Sequence, residues 1–169
     1  MNTAVTILVY VGIAGLVFYR MIYKQLRGTL LTRSGLMRLP LILVVVGAFF
    51  VVKALPGATT AEVGLLVADI VVLAALGAAR AATTTLTERA GTTFQKGAAM
   101  TVVLWLVTIA ARFGFVGLGT VLGITGPLTS ASIALTIGIS IGVQNAMTLH
   151  RIQQLRLPLA EGRRVASAR

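Results

Sequence analysis

Cysteine is absent from this sequence, histidine occurs once and acidic residues only four times. Without cysteine there is no disulfide, no thiolate nucleophile, no CxxC redox pair and no cysteine metal site. With His150 as the sole histidine, a bis-histidine haem within the chain is excluded, and no ligand set for a catalytic zinc can be found. No nucleophile stands beside a base. The expectation is therefore a protein that is not an enzyme and carries no cofactor or metal.

The shortage of acids leaves a formal net charge of +11. In a soluble chain that would suggest a nucleic-acid partner. This chain is 57% hydrophobic, with a mean hydropathy of +0.94 and only 11% charged residues, which places it in a bilayer and removes nucleic acid as a partner. Its basic residues fall in alternate connections. Arg20, Lys24, Arg27, Arg33 and Arg38 follow the first apolar run, Arg80, Arg89 and Lys96 separate the third from the fourth, and Arg151, Arg156, Arg163, Arg164 and Arg169 follow the last. Only Lys53 and Arg112 lie elsewhere. The positive-inside rule makes those three segments cytoplasmic, with the N-terminus out and the C-terminus in. The same basic face offers anionic lipid a surface, each juxtamembrane cation being worth about 1 kcal/mol.

The fold expected is an all-α membrane protein, a bundle of five transmembrane helices at about 3–23, 36–55, 60–82, 97–119 and 128–149, the last extending to 157. Residues 1–157 form one transmembrane domain and 158–169 a disordered basic cytoplasmic tail. The run 3–19 carries its positive charges after it, unlike a secretory signal peptide, and reads as a first span. Pro40 is expected in the first turn of the second span, where a missing N–H costs little. Thr59 and Glu62 match a capping box at the start of the third. Between the third and fourth spans, threonines flank the turn-like Glu88-Arg89-Ala90-Gly91, which predicts a short cytoplasmic β-hairpin, with a plain loop as the alternative. Gly126-Pro127 signals the start of the fifth helix.

Arg112 lies inside an apolar stretch. An arginine at hydrocarbon depth costs about 2.5 to 3.5 kcal/mol on insertion scales, so it needs a partner or a wet cavity. Thr101, Trp105, Thr108 and Arg112 are spaced four, three and four apart and form one polar stripe on a helix. Asp69 is the expected partner, both residues falling about 10 to 12 Å beneath the outer surface when counted at 1.5 Å per residue. With Lys53 and Glu62 they make an intramembrane charge group summing to zero. Two readings stay open: an ion-pair network that fixes packing, the weightier one, and an outward-facing polar pocket for a small ligand, ion or lipid headgroup.

On the fifth helix Ser130, Ala134, Gly138, Gly142 and Ala146 recur every four residues, with Asn145 on nearly the same face. Small residues at this spacing let another helix approach closely, and Asn145 can add an interhelical hydrogen bond. His150 reads as a helix-end residue. Trp105, near mid-span, reads as core, its N–H needing a partner. Gly114, Gly117 and Gly119 are no nucleotide fingerprint, since no strand precedes them.

The stretches Ala111-Arg112-Phe113-Gly114-Phe115-Val116-Gly117-Leu118-Gly119 and Gly91-Thr92-Thr93-Phe94-Gln95-Lys96-Gly97 resemble a pattern in the CcdC-like family of small bacterial integral membrane proteins, particularly its actinobacterial members. The resemblance implies five spans and a bacterial cytoplasmic membrane. The family's name comes from a link to cytochrome c biogenesis, and most members have no assigned activity. The lack of cysteine and of a haem-ligand pair speaks against a direct haem or thiol role.

The leading functional expectation is a non-enzymatic interaction or scaffold module, associating through the small-residue face with copies of itself or with another membrane protein. The competing class is a small transporter, channel or ligand-binding protein that uses the outer charge group.

Overall fold

The computed structural model describes residues 29–31, 33–89, 91–97 and 99–158. The predicted first span at 3–23 and residues 159–169 of the tail lie outside the described residues. Within them the chain is mostly helical: α1 Arg33–Ala54, α2 Thr60–Thr83, α3 Ala99–Val121, a short α4 Pro127–Ala131 and α5 Ile133–Gln154. All but α4 are long and apolar enough to cross a membrane, which makes this a membrane protein with four candidate spans among the described residues. Helix α5 packs between α1 and α2, and α3 packs on α2.

The interior inverts the soluble pattern. Leu39, Leu41, Ile42, Val45 and Phe49 of α1 point outward, whereas Thr101, Thr136, Ser140, Gln144 and Thr148 are buried. Lipid tails are as apolar as leucine, so helices in a bilayer associate through close packing and hydrogen bonds between polar groups kept away from lipid.

Helix α2 starts where its capping box requires. Thr59 Oγ1 accepts the Glu62 N–H at 3.2 Å and Glu62 Oε2 accepts the Thr59 N–H at 3.0 Å. Helix α1 departs from the expected bounds, beginning at Arg33, so that Pro40 lies in the helix interior and not in its first turn. There the ring removes the N–H that would bond the carbonyl of Leu36, four residues earlier. Asn145 of α5 restores the bond: its Nδ2 donates to the Leu36 carbonyl at 2.6 Å. A proline inside a membrane helix is tolerated when a neighbouring helix satisfies the freed carbonyl, as here.

The threonine-rich link is a hairpin, β2 Thr85–Arg89 and β3 Thr92–Lys96, turning at Gly91 with φ +70°. A short strand β1, Thr29–Leu30, pairs antiparallel with β3 and completes the order β1-β3-β2. An isolated hairpin is marginal in water. This one is held because the Pro158 carbonyl accepts both the Thr93 N–H at 2.8 Å and the Thr93 hydroxyl at 2.7 Å. Leu31, Leu36 and Ile152 form an apolar cluster beneath it, with Leu86 packed alongside. Arg151 donates to the carbonyls of Ala81 and Thr84, closing the C-terminal end of α2. The expected fifth helix is interrupted at Ser132, where α4 ends and α5 begins.

Candidate functional site

Three polar stripes meet inside the bundle. On α2, Glu62, Asp69, Gly77 and Arg80 share one buried face, which the buried C-cap Thr84 continues. On α5 and its N-cap, Ser132, Thr136, Ser140, Gln144 and Thr148 recur every four residues, all buried. On α3, Thr101, Trp105, Thr108 and Arg112 turn toward both: Thr101 lies 3.2 Å from the Thr83 hydroxyl, and Thr108 and Arg112 bond residues of α2 and the α4–α5 segment.

Toward the end opposite the sheet, Arg112 Nη1 pairs with Asp69 Oδ2. Its Nη2 donates to the Thr129 carbonyl at 2.8 Å and to Ser132 Oγ at 3.1 Å. The interruption at Ser132 thus supplies a carbonyl and a hydroxyl to the guanidinium. Asp69 is only 1% exposed and Arg112 15%. Glu62, 5% exposed, lies two turns above Asp69 on the same face. Gly126 makes room for it, since a Cβ there would overlap the Glu62 carboxylate. Glu62, Asp69 and Arg112 border one cavity of about 20 Å³, together with Leu65, Phe115 and Leu128. Glu62 Oε1 and Asp69 Oδ1 are buried and have no hydrogen-bond partner among the described residues.

Lys53 does not join them. Its ammonium sits 4.4 Å from the centre of the Phe49 ring and is exposed, so the four charges separate into a buried triad and a surface cation on α1.

The sequence counts Arg80 only among the basic residues after the third apolar run. It lies near the end of α2, where its side chain is 0% exposed. Nε donates to Gln144 Oε1 at 2.9 Å, Nη1 to Thr108 Oγ1 at 2.9 Å and Nη2 to Ser140 Oγ at 2.8 Å, while the guanidinium stacks 4.0 Å from the centre of the Trp105 ring. One arginine therefore clasps α2, α3 and α5 with neutral partners, and no carboxylate pairs with it among the described residues. The signal was in the spacing: position 80 lies eleven residues after Asp69 and eighteen after Glu62, three and five helical turns along the same face. The α5 stripe carried the complementary signal. Trp105 contacts Arg80 through its ring, but its Nε1 has no hydrogen-bond partner among the described residues.

Between α3 and α5 runs a groove of about 270 Å³, walled by Ile109, Phe113, Ile133, Ile137 and Ile141, with Leu73 of α2 on its floor. Its exposed surface is mostly apolar, although Arg80, Trp105, Thr108, Arg112 and Ser140 also line it.

The small-residue face is occupied within the chain. A Cβ at Gly138 would meet Leu43 Cβ and the Val44 nitrogen at 2.9 Å, so Gly138 seats α5 directly on α1. Gly47 of α1 makes the reciprocal approach to Leu135. Asn145 bonds Leu36, as described, and Ser130 lies exposed in α4. Gly142 and Ala146, by contrast, border an open groove of about 250 Å³ with Pro40, Leu41, Val44 and Leu149. His150 is exposed and lies 2.9 Å from Gln154 Nε2, one turn on. No cluster of three or more histidine or acidic side chains suited to a metal occurs among the described residues.

No family model, no curated protein and no solved structure matches the chain.

Proposed function

We propose that the protein is a non-enzymatic, multi-pass membrane protein of the transporter, channel or ligand-binding class, working through the polar seam buried between α2, α3 and α5. The orientation proposed places the sheet on the cytoplasmic side and the Glu62 end outside, with residues 3–23 as a further span, in a bacterial cytoplasmic membrane. The observation that carries this reading is the distribution of buried charge. Glu62 and the Asp69–Arg112 pair occupy one end of the seam, and Arg80 lies about 16 Å further along α2, counting eleven residues at about 1.5 Å each. Intramembrane ionisable groups are costly and commonly mark ion or substrate pathways. The seam carries two such centres, Arg112 with Asp69, Thr129 and Ser132, and Arg80 with Thr108, Ser140 and Gln144.

The scaffold reading keeps one specific support. The groove beside Gly142 and Ala146 is open and bordered by small residues, and association there with a second copy or another membrane protein would leave Gly138 undisturbed. Membership of the CcdC-like family is likewise a proposal and rests on the residues quoted for the resemblance.

Proteoliposomes loaded in turn with a pH dye, sodium, potassium and chloride indicators test the leading reading. It expects flux above protein-free vesicles for at least one species, reduced at least tenfold in Arg80→Gln. Absence of flux for all four, together with a concentration-dependent dimer abolished by Gly142→Leu, would replace it with the scaffold reading.

A further inference from the structure

The groove between α3 and α5 brings an arginine to an open side of the bundle. Both helices pack on α2 and make little contact with one another, so Leu73 of α2 forms the floor and the opposite side is open. Arg112, 15% exposed, borders this groove together with Trp105, whose Nε1 finds no acceptor among the described residues. Phe113 on the α3 rim is 71% exposed. Arg112 stands nine residues before the end of α3, about 14 Å in, close to the middle of a hydrocarbon core about 30 Å thick. An arginine at that depth faces the bundle interior or a wet cavity and not lipid. The exposed walls here are isoleucine, phenylalanine and valine, which suit an apolar helix better than water. A helix laid along the groove would turn the Arg112 side into bundle interior.

The described chain begins beside the helix that forms one wall. Strand β1 runs antiparallel to β3, with Thr29 opposite Gln95 and Leu30 opposite Phe94. Tracing the chain backward from Thr29 therefore follows β3 forward, past Lys96 toward the start of α3 at Ala99. Strand β2, which α2 feeds, lies on the other flank of β3, so the chain before Thr29 leaves on the side of β3 away from the exit of α2. The segment 3–23 lies in that preceding chain and carries no charge before Arg20. As a helix its length is about 31 Å, enough to run along α3 in the opposite direction across the hydrocarbon core. Counting eighteen residues either way from the Thr29–Gln95 pair brings Val11 about level with Phe113. The groove between α1 and α5 makes no comparable demand: its one polar side chain among the described residues, Asn145, is already bonded to the Leu36 carbonyl.

We propose that the apolar segment 3–23 docks as a helix in the α3–α5 groove, antiparallel to α3. It closes the side of the polar seam that Arg112 and Trp105 border, packing against Ile109 and Phe113 of α3 and Ile133 and Ile137 of α5. The seam is then shielded from lipid at the depth of Arg112, as a conduit between its two charged centres requires. The inference rests on reading 3–23 as a span, and adds which face of the bundle that span covers.

The test is disulfide cross-linking in the full chain, which has no native cysteine. In lipid nanodiscs, Phe113→Cys is combined in turn with a cysteine at each position from Leu8 to Gly15, and linked peptides are identified by mass spectrometry after mild oxidation. Links should form within one chain and peak at positions three or four apart, with loss of the free thiols. Leu41→Cys, on the α1–α5 groove, should link to none of them. Should the Phe113 pairs fail to fold, Ile137→Cys on the opposite wall takes their place with the same expectation. Links to Leu41→Cys in preference put the segment in the other groove and overturn the proposal. Links between the Phe113→Cys positions of two chains make a second copy the occupant, and absence of any link leaves the groove to lipid chains; either result overturns it too. Asn2→Cys separates these failures from failure of the span itself. Labelled by an impermeant maleimide from the face opposite Glu88→Cys, it shows that 3–23 crosses the membrane whatever the groove holds. Labelled from the same face as Glu88→Cys, it removes the span and the docking together.

Discussion

Asp69 and Arg112 lie at matching depths on antiparallel helices. Asp69 is nine residues after the start of α2 at Thr60, and Arg112 nine before the end of α3 at Val121, so both sit about 14 Å from the same end of the bundle. Their pairing follows from that registry, which the short β2–β3 connection sets. Removing one member strands a buried charge, typically at about 3 to 5 kcal/mol, whereas removing both can cost little. Asp69→Asn and Arg112→Gln should each lower stability in detergent by more than the double substitution does. A double-mutant cycle measures this, and additive losses would show that the contact contributes no coupling.

The Asn145 amide should matter for a backbone reason. Its donor replaces the one that Pro40 removes, so Asn145→Ala leaves the Leu36 carbonyl without a partner inside the bundle, at about 1 to 3 kcal/mol. Pro40→Ala should largely rescue it, because the restored N–H bonds Leu36 within α1. Thermal unfolding of the two single variants and the double variant checks this. Equal losses in Asn145→Ala with and without the proline would refute it.

Much of this architecture was legible because it depends on local signals. The capping box of Thr59 and Glu62 marks the start of α2, and the Thr101 to Arg112 stripe reports the buried face of α3. Gly91 between threonine-rich flanks gives the hairpin. Arg80 was not legible from charge clustering, because the positive-inside rule counts basic residues near a span and cannot tell a helix's last turn from the loop after it. Its partners, Gln144, Ser140 and Thr108, are neutral, so no opposite charge drew attention to it. The small-residue face was legible as a packing face, but sequence spacing cannot say which helix fills it. Only the contacts of Gly138 and Gly47 show that α1 does.

Those contacts separate the glycines of α5. Gly138→Ala forces apart backbones already in contact and should cost about 1 to 3 kcal/mol, as overpacking does. Gly142→Ala should be near neutral, its nearest neighbour being Pro40 Cβ at 3.6 Å from the added atom. Both variants should elute at the wild-type size, since the α1–α5 contact is internal. A change of oligomer size in Gly138→Ala would mean that this face also serves another chain.

Orientation follows from labelling single cysteines, for which the cysteine-free chain is a clean background. Thr59→Cys, before α2, should react with an impermeant maleimide from outside, and Glu88→Cys, on the exposed β2, only after permeabilisation. Labelling of Glu88→Cys from outside reverses the proposed orientation and puts the sheet outside.

Arg80 and Arg112 should respond differently to neutral replacement, although both are arginines inside the same bundle. Arg112→Gln leaves Asp69, 1% exposed, without its counter-charge, which is the expensive outcome at about 3 to 5 kcal/mol. Arg80→Met strands no charge among the described residues. It removes a desolvated cation, and two of the three side chains it leaves keep another partner: the Ser140 hydroxyl donates to the Leu73 carbonyl at 2.7 Å and that of Thr108 to the Leu104 carbonyl at 2.7 Å. Gln144 Oε1 loses its donor, and Trp105 loses a stacked cation worth about 2 kcal/mol when desolvated. The relief of desolvation offsets these losses, so Arg80→Met should cost at least 2 kcal/mol less than Arg112→Gln. Denaturant titration in detergent checks the order, and the fluorescence of Trp105, the chain's only tryptophan, should change in Arg80→Met while the protein stays folded. If Arg80→Met proves as costly as Arg112→Gln, Arg80 is the principal clasp of the three helices. If instead the variant is stable but has lost ion flux, a cation that the fold does not require is kept for function.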